Sequence, residues 1–253
     1  MNNTRVIPVL LLRGQGLVKT VKFKESKYIG DPINAVRIFN EKEVDELVFL
    51  DIAATREGRG PDFELLSKIT GEAFMPMAYG GGVSTLEQVR HIFELGFEKV
   101  IVNSAAYENL TLISEAVATF GSQSIIGCVD VRKTLLGRYE LYSNSAQVKR
   151  KASLLEHLAA LTQSGVGEIL INSIDRDGTM EGYDIKLLHQ VSSSVTVPIV
   201  ACGGAGNINH LAQAVRDGNV SAVAAGSLFV FMGPHKAVLI NYPDRRVLED
   251  CFR

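Results

Sequence analysis

The stretches PMAYGGGVSTLEQVRHIFELG, residues 76–96, and PIVACGGAGNINHLAQAVRDG, residues 198–218, repeat each other in register at an offset of 122 residues. The same offset pairs Asp62 with Asp184, Leu65 with Leu187, Gly81 with Gly203, Gly82 with Gly204 and Gly96 with Gly218, without a gap. Each copy reads as a short apolar strand, a glycine turn and an amphipathic helix. Repeats with periods of about 20 to 50 residues build solenoids or propellers. An offset near half of a 253-residue chain instead indicates two fused half-domains, about 1–122 and 123–253.

Working outward, aliphatic runs alternate with amphipathic stretches along the whole chain, the pattern of parallel strands crossed by helices. Strands are predicted at residues 6–12, 46–52, 75–80, 99–104, 125–131, 168–173, 198–203 and 221–226. Helices fit between them, for example at 33–43, 65–71, 86–95 and 153–163, and Asp184 and Asn207 stand where N-caps would. An open doubly wound sheet also alternates strand and helix. Eight units in two equal halves close more naturally into one (β/α)8 TIM barrel spanning 1–253. Two additions interrupt the regularity: a Lys-rich first βα loop at 19–28, and LLGRYELYSNS after Asp130, read as a small hairpin in the fifth βα loop.

Composition agrees with a single core, since 46% of residues are hydrophobic and about 250 residues is an ordinary barrel length. The formal charge is −2 and the pI about 6.2, so no basic field would draw nucleic acid. The longest run without Asp, Glu, Lys or Arg, 187–215, is broken by Ser, Pro, Gly, Asn and His and does not read as a membrane span. Cys128, Cys202 and Cys251 are too few and too scattered for a disulfide framework, which places the expected home in a reducing cytoplasm. His91, His157, His189, His210 and His235 are equally scattered, so neither a metal nor another cofactor is expected.

In a barrel, the loops after strands seven and eight commonly bind phosphate through backbone N–H groups. CGGAGN and AAGS supply that pair here, with Gly203, Gly204, Gly226 and Ser227 as the candidate residues. Their repeat partners, YGGGVS and VNSA, supply Gly81, Gly82, Asn103 and Ser104 after strands three and four. Two anion sites on opposite sides of one barrel mouth follow, suited to a small ligand with a phosphate at each end. The simpler alternative is a pair of tight turns. Asp51, Asp130 and Asp177 fall at or just beyond strand C-termini, where barrel enzymes gather catalytic groups. Asp130 suits general-base work. Asp51 is equally readable as a loop cap, and Asp177 with Gly178 lies in the turn-forming DRDGTMEG. Aligning IPVLLLR from Ile7 with IGCVDVR from Ile126 sets Leu11 opposite Asp130, so one half carries leucine where the other carries a carboxylate.

The segments GDPINAVRIFNEKEVDELVFLDIAAT, YGGGVSTLEQVRHIFELGFEKVIVNSAA and INSIDRDGTMEGYD resemble the cyclase subunit of imidazole glycerol phosphate synthase, from about Arg5 to Phe231. The resemblance implies a lyase-type barrel of a glutamine amidotransferase complex that takes ammonia from a glutaminase subunit on its N-terminal face and cyclises a bis-phosphorylated ribulosyl substrate on the other. It implies that Arg5, Glu46, Lys99 and Glu168 form a charged ammonia gate, and that Lys19 lies on a mobile first loop covering the substrate. Leu11 departs from the family, which there has the general-acid aspartate that partners the residue matching Asp130. The segment GPHKAVLINYPDRR after Phe231 departs from the ordinary last helix. Those differences resemble a paralogous group found with surface-polysaccharide (lipopolysaccharide) genes and associated with acetamidino sugar modification, where a separate sugar amidotransferase is a further partner. Histidine-pathway cyclase activity, a non-catalytic ammonia conduit and a sibling phosphoribosyl isomerase are the alternatives. Leu11 and the gate argue against the isomerase.

Overall fold

The computed structural model describes residues 4–252. In chain order it begins with β1 (Arg5–Arg13), β2 (Gly16–Thr20), β3 (Ser26–Gly30), α1 (Pro32–Glu41), β4 (Leu47–Asp51) and α2 (Phe63–Thr70). Next come β5 (Met77–Gly80), α3 (Leu86–Glu94), β6 (Lys99–Val102), α4 (Leu110–Phe120), β7 (Ile125–Lys133), β8 (Tyr139–Ser143) and β9 (Val148–Lys149). Then follow α5 (Leu154–Gln163), β10 (Glu168–Ser173), α6 (Ile185–Ser192), β11 (Ile199–Cys202), α7 (Ile208–Gly218) and β12 (Ala222–Ala225). The chain finishes with α8 (Ser227–Val230), β13 (Phe231–Met232), β14 (Ala237–Val238) and α9 (Arg245–Cys251).

Strands β1, β4, β5, β6, β7, β10, β11 and β12 pair in parallel in that order. Strand β12 returns to β1, with Arg5 beside Ala222, and closes a (β/α)8 TIM barrel. These are the eight expected strands, and no boundary moves by more than two residues. Both faces of each strand are covered, which is why the strands read as continuous apolar runs. Along β1, Ile7, Val9 and Leu11 face the narrow interior, while Val6, Leu10 and Leu12 pack under the helices. Asp62 and Asp184 cap α2 and α6 identically, accepting from the backbone N–H of Leu65 and Leu187 at 3.1 Å each. Asn207 caps α7 through the N–H of His210, and Thr85 with Gln88 forms a capping box on α3.

Three segments modify the plain barrel. The expected first loop is an antiparallel ribbon: β2 pairs with β1 and β3 pairs with β2. The Lys-rich segment is strand rather than loop over much of its length, and Leu17, Val18, Lys19 and Thr20 are all buried. The fifth insertion is a hairpin, as expected, with β8 antiparallel to β7 so that Tyr142 lies beside Asp130. After β12, the segment that departs from the family forms the β13–β14 hairpin and then a strap. The Tyr242 ring packs on Phe229 there, and its hydroxyl donates to the Val6 carbonyl at 2.8 Å. Helix α9 follows, so a short helix does end this segment. No helix among the described residues is long and apolar enough to cross a membrane.

Candidate functional site

The C-terminal ends of the barrel strands open into one cavity, lined by Leu11, Lys19, Asp51, Asp130, Asp177 and Gly178 together with both glycine sets and their strand-end partners Asn103, Ser104 and Ser227. At its centre Asp130 is buried, and its Oδ2 accepts a 2.7 Å hydrogen bond from Asn103 Nδ2. Burial pushes the Asp130 carboxyl up to about 7; the Asn103 bond opposes this and the charge of Asp177 reinforces it. A carboxyl poised there exchanges protons readily at neutral pH. Two amide oxygens near it, Asn103 Oδ1 and Asn172 Oδ1, are buried without a partner among the described residues. Register sets Asn172 directly beside Asp130 and beside Cys202.

Lys19 lies on strand β2 of the first ribbon. It projects from β2 into the mouth, and its Nζ donates to the Val9 carbonyl at 2.6 Å. Burial draws its ammonium down to about 8, against the opposing charge of Asp177. The ammonium also lies so close to Gly226 that a side chain there would collide with it. Asp177 is raised by burial, steadied by a 2.9 Å bond from Thr20 Oγ1 and by Lys19. Asp51 takes the bland role: it accepts from the N–H groups of Ala53 and Ala54 at 2.9 and 3.0 Å and pairs with Arg59 at 2.8 Å. A carboxylate so fully engaged organises the second βα turn rather than moving protons.

The two glycine turns share a left-handed backbone, with φ of 132° and 68° at Gly81 and Gly82 and 88° and 119° at Gly203 and Gly204. A Cβ on Gly81 would stand 2.6 Å from the Asp51 carbonyl oxygen, so the turn requires glycine for space as well as for φ. Their surroundings differ. The fifth hairpin folds over the first set, where the Asn144 N–H donates to Ser104 Oγ at 3.1 Å and Ser145 Oγ donates to the Ile52 carbonyl at 2.8 Å. The first ribbon packs over the second set, Gly178 lying against the Thr20 carbonyl.

At the opposite end of the barrel, Arg5 bridges Glu46 and Glu168 at 2.5 Å each, and Lys99 bridges the same two carboxylates at 2.8 and 3.4 Å. The four expected gate residues thus form a ring of alternating charge. Glu46 Oε1 is buried there without a partner among the described residues.

Sequence reasoning missed Arg13, Arg56, Asn144, Ser145 and Asn172, all of which line the mouth. Asn172 was within reach, because inward residues on adjacent parallel strands fall level with Asp130. Asn144 and Ser145 sit on the fifth-loop insertion, and Arg13 and Arg56 at a strand end and in a βα turn, where periodicity does not fix the path. Among the described residues, no group of three His, Cys, Asp or Glu side chains is placed to hold a metal ion.

The model of the family described as "Histidine biosynthesis protein" matches residues 5–233. A Pseudomonas aeruginosa protein, named provisionally as imidazole glycerol phosphate synthase subunit hisF2, is 55% identical over 249 residues, covering 98% of this chain and 99% of the relative. A Leptospira interrogans protein, named provisionally as the HisF subunit, is 49% identical over 253 residues and all of both chains. The imidazole glycerol phosphate synthase subunit HisF of Alkaliphilus metalliredigens is 38% identical over 229 residues, 90% of this chain and 91% of its own.

Proposed function

Because the chain belongs to the histidine biosynthesis protein family, we propose that it is the ammonia-using, HisF-type subunit of a glutamine amidotransferase complex, running on one acid-base carboxylate. The observation that carries this reading is the pairing of Leu11 with Asp130 in a mouth flanked by two glycine turns. A ligand with a phosphate at each end would span Gly81, Gly82, Asn103 and Ser104 on one side and Gly178, Gly203, Gly204, Gly226 and Ser227 on the other. Backbone N–H groups would hold its oxygens. Ammonia released by a glutaminase subunit on the N-terminal face would enter through the ring of Arg5, Glu46, Lys99 and Glu168. When ammonia adds to a carbonyl carbon of the ligand, the C–N bond forms as the C=O π pair moves onto oxygen, which leaves an alkoxide oxygen and a positive nitrogen. Asp130 as carboxylate takes a proton from that nitrogen, and the Lys19 ammonium, with Asp177 beside it, would steady the phosphate charge at the ligand's second end. Leu11 offers no second proton donor.

That deficit favours a paralogue whose barrel supports amidination of a surface sugar, beside a separate sugar amidotransferase, in the cytoplasm, where three free cysteines are at home. Authentic imidazole glycerol phosphate synthesis is supported equally by the names of the relatives. An assay with the bis-phosphorylated ribulosyl substrate and ammonium salts separates the two. The paralogue reading expects slow turnover and a gain on the order of 10² or more in Leu11→Asp. Brisk wild-type turnover that Leu11→Asp fails to raise would overturn it.

A further inference from the structure

Two arginines at the mouth are held in place by neutral partners and have no role in the reading above. Arg13, at the end of β1, donates from Nη1 to Ser26 Oγ at 2.6 Å. Arg56, in the turn after β4, donates from Nε and Nη2 to the Gln147 carboxamide oxygen at 2.8 and 3.0 Å, with that amide turned as its donors require. Both line the cavity. Neither forms an ion pair with any described residue, whereas the neighbouring Arg59 is committed to Asp51 and Glu57. Hydrogen bonding to a hydroxyl and an amide fixes the direction of a guanidinium without neutralising it, and each keeps unused N–H donors. Strands β1 and β4 are adjacent, with Leu12 beside Asp51, so both arginines rise from the sector whose inner surface is Leu11 and Leu50. Of the three aspartates that line the mouth, Asp51 is neutralised by Arg59, Asp130 stands on β7 and Asp177 follows β10.

We propose that Arg13 and Arg56 form a third anion subsite, which takes a carboxylate on the carbon skeleton of the ligand between its two terminal phosphates. A planar oxyanion matches the guanidinium fork, and the carbon that bears it would rest against Leu11 and Leu50. The proposal rests on the two-phosphate reading of the mouth and adds the substrate class: an acidic rather than a neutral bis-phosphorylated sugar. The leucine at position 11 then has a positive purpose, because an aspartate there would repel the substituent.

Calorimetric titration of the full chain at fixed ionic strength tests this, with 2-carboxyarabinitol 1,5-bisphosphate against arabinitol 1,5-bisphosphate. The wild type should prefer the carboxylate probe by about tenfold. In Arg13→Gln/Arg56→Gln the preference should fall to within about twofold with arabinitol bisphosphate affinity maintained, while Arg246→Gln, on exposed α9, should leave the preference intact. Equal wild-type binding, a preference that survives the double variant, or equal erosion by Arg246→Gln would each overturn the subsite. If arabinitol bisphosphate does not bind, the two-phosphate reading falls. The subsite is then read by 3-phosphoglycerate against glycerol 3-phosphate, and equal binding or no binding of that pair overturns it as well.

Discussion

At the scale of the residue, Asp130 shows how stability is set aside for chemistry. Its carboxyl titrates near 7 in the fold, against 3.8 ordinarily, because burial penalises the charge. With the folded value raised, the folded state holds a proton that the unfolded chain has released, so this residue destabilises progressively from pH 4 to 7 and fully above. Asp130→Asn should therefore match the wild type near pH 4 and exceed its unfolding free energy by about 4 kcal/mol at pH 8, measured by urea titration across pH. A variant less stable than wild type at pH 8 would mean that the native carboxylate is well solvated or paired. The same variant should abolish glutamine-driven turnover; intact activity would favour a passive ammonia conduit. Asp130 and its leucine counterpart were legible from sequence because they fall on strands whose inward parity is strict. The engagement of Asp51 by Arg59 was not, since it depends on how the second βα turn folds back.

At the scale of the element, the fifth hairpin is anchored by a stack beneath it. His157 of α5 lies flat on Tyr107, ring centroids 3.9 Å apart, and Arg150, which bonds Ser143 of β8, sits over the Tyr107 ring at 4.9 Å. His157 Nε2 is buried without a partner among the described residues, and burial, aided by Arg150, draws its imidazole down to about 4 from 6.5. The folded value is depressed, so its stabilisation is present above pH 6.5 and is lost as pH falls through 4. This opposes the Asp130 contribution over the same window. His157→Phe, which keeps a flat ring on Tyr107, should reduce acid destabilisation between pH 6.5 and 4 by about 2 kcal/mol in the same titrations; an unchanged acid limb would show that the imidazole takes up its proton without opening the hairpin. The hairpin could be expected from YELY and its flanking turn residues. The first ribbon was concealed by its lysines, whose charge signals solvent while their stems and the intervening Val18 and Thr20 build a strand.

At the scale of the molecule, the barrel joins a charged floor to a mouth flanked by two glycine turns. Removing Arg5 would leave Glu46 and Glu168 sharing Lys99 alone, so Arg5→Ala should cost about 3 kcal/mol of stability. If the ring meters ammonia, glutamine-driven activity should drop relative to ammonium-driven activity, measured on the same preparation; a parallel fall in both would reduce the ring to a structural plug. The floor was legible only through family resemblance, because four charges at strand starts read as surface until the closed topology sets them face to face. The Tyr242 strap has a consequence in time. Of the barrel strands β1 leaves the ribosome before the others, whereas its neighbour β12 and Tyr242, whose hydroxyl bonds the Val6 carbonyl, emerge only after all the rest of the barrel. Through most of translation, the apolar first strand therefore has one open hydrogen-bonding edge and no outer cover, a state prone to pairing with other chains. Nascent-chain aggregation and chaperone demand should accordingly concentrate before Tyr242 emerges, and the seam between the oldest and youngest parts of the chain is where the barrel should close last.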